Sequence, residues 1–160
     1  MLVKQYYDAL VGLMENSNMT IKQSTGSTYS LQPSYAYNLL KLKEATSRVM
    51  TSQHGSGVAF GDGTTPPAFT DYKLSGNVIT GISGSVSQTS EEDDDGVTLT
   101  NVITVTNNNS NDITISEVCA NCQYQAYFMV ERTLLDTPLT IPAGGIGQVT
   151  YTIRFNYPTA

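Results

Sequence analysis

Hydrophobic and polar residues alternate along most of the chain after residue 76. The alternation is clearest in residues 97–106 and 149–157, where Thr, Arg and Asn separate apolar or aromatic side chains. A spacing of two buries one face of a strand and leaves the other in water. It predicts strands at residues 77–82, 83–89, 97–107, 112–119, 126–134, 139–141 and 147–157, separated by turns at 91–96, 107–111, 136–138 and 142–145. We therefore expect a mainly β fold, an antiparallel β-sandwich of jelly-roll type.

A different period marks the first sixteen residues. Apolar side chains recur there at steps of three and four, which predicts an amphipathic helix; they are Val3, Tyr6, Tyr7, Leu10, Leu13 and Met14. Residues 19–32 are typical of a hairpin that turns at Gly26, residues 34–46 of a short helix, and residues 48–52 and 58–60 of strands. This divides the chain into residues 1–47, a helix, hairpin and connecting segment that could act as a docking arm, and residues 48–160, the sandwich domain.

A glycine-rich stretch, residues 55–67, interrupts the strands and superficially matches a nucleotide-binding loop. It lacks the Gly-Lys-Ser/Thr ending that contacts phosphate and magnesium. Two prolines keep the backbone extended where a phosphate-binding helix would begin. We expect residues 70–74 to form a single helical turn, capped by Thr70 or Asp71. The stretch thus predicts a structural loop that consists of Gly61, Asp62, Gly63, Pro66 and Pro67.

Charge is scarce and acidic. Only 14% of the 160 residues are charged, and the formal net charge is −6. The eight Lys and Arg residues are scattered, so no basic face is available for a phosphate backbone and we expect no nucleic-acid partner. No apolar run reaches the roughly 18 residues that a spanning helix needs, and Gln5, Asp8 and Glu15 interrupt any signal-peptide core. The sequence predicts a protein made in a cytoplasm, with no membrane partner.

Few residues suggest catalysis. His54 is the only histidine, so a relay that needs two histidines is not available, and no Gly-x-Ser-x-Gly elbow accompanies it. Asp62, Asp71, Glu117 and Glu131 could supply the carboxylate pair of a glycosidase, but the chain has no Trp for sugar stacking. We expect no enzymatic activity, no cofactor and no metal site.

Three features keep more than one interpretation open. The Cys119-Ala-Asn-Cys122 pair could be a redox pair, part of a zinc site with His54, or a structural pair in a loop or at a strand end; zinc needs four ligands, and no helical pattern follows Cys122. The acidic run Glu91–Asp95 is typical of a solvated hairpin tip, and calcium binding is the sharper alternative. The ten tyrosines suit a protein interface or a core, or else a sugar-binding surface.

The order of several short motifs resembles a group of small virion proteins of tailed bacteriophages. The resemblance covers residues 57–157. It implies a β-rich, non-enzymatic part of the particle. The motifs that carry it are, in order, Gly61-Asp-Gly-Thr-Thr-Pro-Pro67, Asp71-Tyr-Lys-Leu74, a strand that ends at Glu117, Arg132-Thr-Leu-Leu, Ile141-Pro-Ala-Gly144 and a closing strand at 151–155.

Pattern and resemblance together predict a structural or accessory component of a tailed-phage virion, in the head, neck or tail. It would be made in the bacterial host cytoplasm and act by assembly with other virion proteins and with copies of itself. The predicted assembly interface is the helix face with Tyr6, Tyr7, Leu10 and Leu13. The alternative is a carbohydrate-binding adhesion module, exposed on a particle or cell, whose partner is a cell-surface glycan.

Overall fold

The computed structural model describes residues 2–33, 45–124 and 126–156, with the backbone alone at Tyr124 and Ala126. One helix, α1 (Lys4–Glu15), opens the described chain. The strands that follow are β1 (Met19–Lys22), β2 (Thr28–Leu31), β3 (Val49–Met50), β4 (Gly57–Gly61), β5 (Ile82–Asp93), β6 (Gly96–Asn107), β7 (Ile113–Tyr124), β8 (Ala126–Ile141) and β9 (Ile146–Asn156). The segment from 62 to 81, between β4 and β5, is here called the crossover loop.

The strands form three sheets. The four-stranded sheet has the order β3-β4-β7-β8, the three-stranded sheet the order β5-β6-β9, and β1 pairs with β2 in a hairpin. Every pairing is antiparallel except the short parallel contact between β3 and β4. The predicted fold class, a mainly β sandwich with an N-terminal helix, is confirmed.

The core lies between the two larger sheets. Alternate side chains of each sheet point inward, as the period of two requires. Phe60 and Phe128 of the four-stranded sheet belong to the same buried cluster as Ile103 and Tyr151 of the three-stranded sheet. The four-stranded sheet is also covered on its other face, so all five residues of β4 are buried. That second cluster contains Val3, Ala59, Leu74, Cys119 and Met129.

Helix α1 packs closely on the hairpin and the sandwich. A Cβ atom at Gly12 would lie 2.0 Å from the Cε of Met19, so only glycine allows this approach without a shift of that methionine. Tyr6 and Ala9 join the main core cluster. The helix ends at Asn16, whose φ of 51° gives the left-handed C-terminal cap. The core therefore contains residues from both predicted segments, 1–47 and 48–160.

Several local predictions were wrong. The turn predicted at residues 91–96 is shorter, because residues 91–93 continue β5 and only Asp94 and Asp95 form the turn; the acidic run does lie at the exposed tip of the β5–β6 hairpin, as expected. Residues 136–138 belong to β8 instead of a turn. Ile115 pairs with Leu139 but Glu117 pairs with Leu134, so the extra residues of β8 form a bulge between these two pairs. Residues 77–82 contribute a single bridge instead of a strand before β5 begins. The helix predicted at 34–46 lies outside the described residues except at its last two positions.

Candidate functional site

The glycine-rich turn lies over a buried carboxylate. Cβ atoms built at Gly61 and Gly63 would lie 2.6 Å and 2.4 Å from the Oε1 of Glu117. That carboxylate occupies the space in which side chains would stand, so the two glycines are needed for close approach. Asp62, between them, accepts hydrogen bonds from the backbone and the side chain of Asn77, at 2.6 Å and 3.1 Å. The turn therefore packs against Glu117 and is hydrogen-bonded through Asp62 to Asn77, near the other end of the crossover loop.

Glu117 has no accessible surface. It projects from β7 and accepts hydrogen bonds from the Gly76 amide at 2.8 Å and from the amide and hydroxyl of Ser75, both at 3.1 Å. Burial by itself would raise the pKa of this carboxyl. The Gly76 amide, the Arg132 guanidinium and the Ser75 amide outweigh burial, so the pKa lies below its ordinary value. Glu117 is therefore charged inside the protein at neutral pH.

Arg132 provides the matching positive charge and is 1% exposed. Its Nε donates to Glu117 Oε2 at 2.7 Å, one terminal nitrogen donates to Asp71 Oδ2 at 2.6 Å, and the other donates to the Thr65 carbonyl at 2.6 Å. Asp71 also accepts the Ala68 amide at 2.8 Å. One guanidinium on β8 therefore holds β7 and two points of the crossover loop.

This geometry corrects the prediction for residues 70–74. No helical turn forms there, because the carboxylate of Asp71 is used by Arg132 and by an amide that precedes it in the chain. Leu74 instead packs in the second hydrophobic cluster, on the outer face of the four-stranded sheet. Its amide donates to the side-chain oxygen of Gln53 at 3.1 Å. The polar network and the apolar cluster fasten the same loop.

The residues predicted as the structural loop do not all join the network. Gly61 and Gly63 surround Glu117, and Asp62 holds Asn77. Pro66 and Pro67 follow Thr65, whose carbonyl is the point that Arg132 holds. The structure brings the turn together with Glu117 and Arg132. The sequence pattern did not predict that these two residues would pair. The available signal was that Glu117 is the one charged residue of β7 and Arg132 the one basic residue of β8, two strands that pair with each other.

The network suits a structural role better than a catalytic one. The Glu117 carboxylate is fully covered, so a substrate from solution cannot contact it in this conformation. Glu131, another glycosidase candidate, is 3% exposed, and burial raises its pKa. Within the described ranges, no group of three or more His, Cys, Asp and Glu side chains is placed to hold a metal ion.

The cysteines lie inside β7 instead of in a loop or at a strand end. Cys119 belongs to the second cluster and Cys122 to the main core, so the two side chains join different clusters, and they are not linked to each other by a disulfide. Burial raises the pKa of Cys119 to about 12. A thiol in that state is a poor nucleophile. His54 lies elsewhere, with its ring centroid 5.1 Å from that of Tyr127. The arrangement favours a packing role for both cysteines.

The predicted interface residues of α1 divide between core and solvent. Tyr6 is 8% exposed and belongs to the core, and Leu10 packs against it, whereas Tyr7 and Leu13 are 44% and 41% exposed. Two apolar residues that were not assigned to the interface, Val11 and Met14, are 50% and 83% exposed. The assembly role of this face stays a prediction.

Three of the exposed side chains form one stripe. Tyr7, Val11 and Met14 follow the i, i+4, i+7 spacing of a single helix face. The crossover loop adds Phe69, which is 48% exposed and whose ring centroid lies 5.6 Å from that of Tyr7. The Lys4 amide donates to the Phe69 carbonyl at 2.7 Å. We call these four residues, two aromatic and two aliphatic, the aromatic stripe. The network that holds the crossover loop also holds Phe69 in the stripe.

Comparisons with protein-family models, with curated proteins and with solved structures gave no significant match. Within the described residues, no helix combines the length and apolar character needed to cross a membrane.

We predict that Arg132→Met destabilises the protein by about 3–5 kcal/mol, because it leaves Glu117 buried without its cation. Urea unfolding followed by circular dichroism measures the change. Arg154→Met is the matched control, since Arg154 pairs with Asp93 at 2.8 Å but both side chains are well exposed. The control should unfold almost as the parent does. Equal losses in both variants would contradict a special role for the buried pair.

We also predict an acid-sensitive contribution from Glu117. Its pKa is lower in the folded state, so its charge stabilises the protein above the ordinary glutamate pKa of about 4.3. That contribution is lost as pH falls through the lower folded-state pKa. The difference in unfolding free energy between the parent and Glu117→Gln should shrink on going from neutral pH to about pH 3. A difference that stays constant over this range would refute the prediction.

Proposed function

We propose that this chain is a structural or accessory component of a tailed-phage virion and acts by protein–protein assembly. The observation that carries the proposal is the aromatic stripe on α1 and the crossover loop. Large apolar side chains that follow one helix face and remain exposed are typical of an interaction site. The resemblance of the motif order to small virion proteins suggests that the assembly is a phage particle.

The contacts that hold Tyr7 and Phe69 in place support this proposal. Tyr7 stands on a helix whose opposite side is buried, and Phe69 stands on a loop held by Arg132 through Thr65 and Asp71. A preformed surface avoids the entropy cost of ordering on binding. Tyr and Phe are enriched in interfaces for the same reason, since each carries a large contact area on few rotatable bonds.

The remaining surface fits repeated assembly. Exposed positions of β5 ahead of its acidic end carry Ser, Gly and Thr, and the charged fraction of the chain is only 14%. In a symmetric particle a modest contact is repeated over many copies, so a small apolar stripe can be sufficient.

We predict that the double substitution Val11→Lys with Met14→Lys abolishes incorporation into particles while the protein stays folded. Both side chains are at least half exposed, so the stability change should be within about 0.5 kcal/mol. The measurement is the amount of the protein in purified particles, relative to the major capsid protein, from a phage genome that encodes the chain.

The matched control is Ser85→Lys with Thr89→Lys, which adds the same charge at exposed positions of β5. It should be incorporated normally. Incorporation of the α1 variant at the parent level would reject the docking role of the stripe. Absence of the parent protein from every particle would reject the virion assignment.

A glycan-binding module is the second candidate, and one cleft favours it. The cleft has a volume of about 430 Å³ and is lined by Asp62, Asn77, Asn109, Asn111 and Asp112 among others. Carboxylate and amide groups are suitable hydrogen-bond partners for sugar hydroxyls. The tyrosines are less well placed for this role, since Tyr6 and Tyr151 are buried.

For this candidate, the parent protein should retain a glycan on an array and Asn111→Ala should lose it, because the cleft loses an amide that can reach a hydroxyl. Tyr7→Ala, outside the cleft, is the control and should bind as the parent does. An array on which the parent retains nothing would remove the candidate.

A further inference from the structure

Strand β9 is an edge of the three-stranded sheet and is long and regular. All eleven of its residues pair with β6 without a register shift. No described backbone group pairs with its other side. Natural proteins usually protect such an edge with Lys, Pro or a bulge, because its free N–H and C=O groups recruit further strands. Arg154 is the single charged residue of β9, and the strand contains no proline.

Two other sheet edges, those of β8 and β5, are covered in part. The outer side of β8 is covered near Glu131, where Leu2 forms a bridge and the Val3 amide donates to the Val130 carbonyl at 3.1 Å. The β5 edge carries acidic residues at its end, and the segment before β4 lies against it. In that contact the side chain of Gln88 donates to the Thr46 hydroxyl at 2.7 Å. Among the described residues, no comparable contact covers the β9 edge.

The hydrogen-bonding direction of each β9 residue follows from the ladder. The Asn107 amide donates to the Gly145 carbonyl at 2.9 Å, next to the first pair of β6 and β9. Inward- and outward-facing backbone groups alternate along an antiparallel strand. The odd-numbered residues 147–155 therefore bond to β6, and the even-numbered residues 146–156 turn their N–H and C=O groups to the free edge.

We infer that this edge pairs with β9 of a second copy of the chain, antiparallel across a two-fold axis that passes beside Tyr151. In this register Thr150 lies opposite Thr152, Gln148 opposite Arg154, and Ile146 opposite Asn156. Only even-numbered residues exchange hydrogen bonds, as the ladder requires. The inference rests on the proposed assembly function and names one contact by which copies would associate.

The side chains are self-complementary in this register. On the core side Val149 lies opposite Ile153, and Tyr151 meets its own copy, so apolar residues face apolar residues. On the solvent side, Arg154 of one copy lies opposite Gln148 of the other, so the two arginines are not placed opposite each other. The pairing joins the two three-stranded sheets into one continuous sheet and is isologous, as a two-fold contact must be.

Space is available beside the strand. A cleft of about 410 Å³ lies between Leu135–Leu139 and the stretch Gln148–Thr150, and one of about 250 Å³ borders Thr152, Ile153 and Arg154.

Sedimentation velocity of the full chain over a concentration range tests the inference. We expect the parent to form dimers. Thr150→Lys with Thr152→Lys sets like charges opposite each other at both sides of the axis and should weaken dimerisation by about tenfold or more. Thr150→Lys with Thr152→Glu sets opposite charges against each other in the same register and should preserve the dimer.

The control is again Ser85→Lys with Thr89→Lys, which should not affect dimerisation, and circular dichroism verifies that each variant is folded. A parent that is monomeric at every concentration, or a dimer indifferent to the two lysines on β9, would overturn the inference. A monomer that is still incorporated into particles would reject this contact alone. A dimer that occurs in no particle would reject the virion assignment alone.

Discussion

The fixed position of the crossover loop depends on one buried guanidinium. Arg132 is shared between Glu117 on β7 and two points of the loop, Asp71 and the Thr65 carbonyl. Removal of Arg132 would leave Glu117 buried without its cation, and removal of Glu117 would leave Arg132 buried with Asp71 as its remaining carboxylate partner in this network. Such pairs are costly to break even when they contribute little net stability. With the loop in place, Leu74 covers the outer face of the four-stranded sheet. The polar network therefore completes an apolar layer.

The same loop connects the sandwich to the start of α1. Phe69 meets Tyr7, and its carbonyl accepts the Lys4 amide. The helix then lies with Ala9 and Gly12 against the core, the side on which the smallest residues allow the closest approach. Tyr6 shares that buried side, whereas Tyr7, Val11 and Met14 are turned outward. An exposed apolar stripe thus results from the packing of the helix, and it is the feature on which the assembly proposal depends.

The two surfaces assigned to assembly differ in kind. The aromatic stripe offers side chains to a partner, whereas β9 offers backbone hydrogen bonds, with side chains that specify the register. The stripe is formed by the helix and the crossover loop, and the edge belongs to the three-stranded sheet. Tyr7 of the stripe and Thr152, Ile153 and Arg154 of β9 line one cleft of about 250 Å³, so the two surfaces adjoin at that point.

Local pattern alone determined the strand-rich class, the helix over the first sixteen residues and the hairpin at Gly26, because periodicity and turn chemistry act over a few neighbours. The sequence also marked the glycine turn and ruled out a phosphate loop. Tertiary structure decided which side of α1 is buried, that β8 continues through residues 136–138, and that Glu117 and Arg132 meet. Those outcomes depend on contacts between residues far apart in the chain, and a single sequence does not state which distant side chains will share a space.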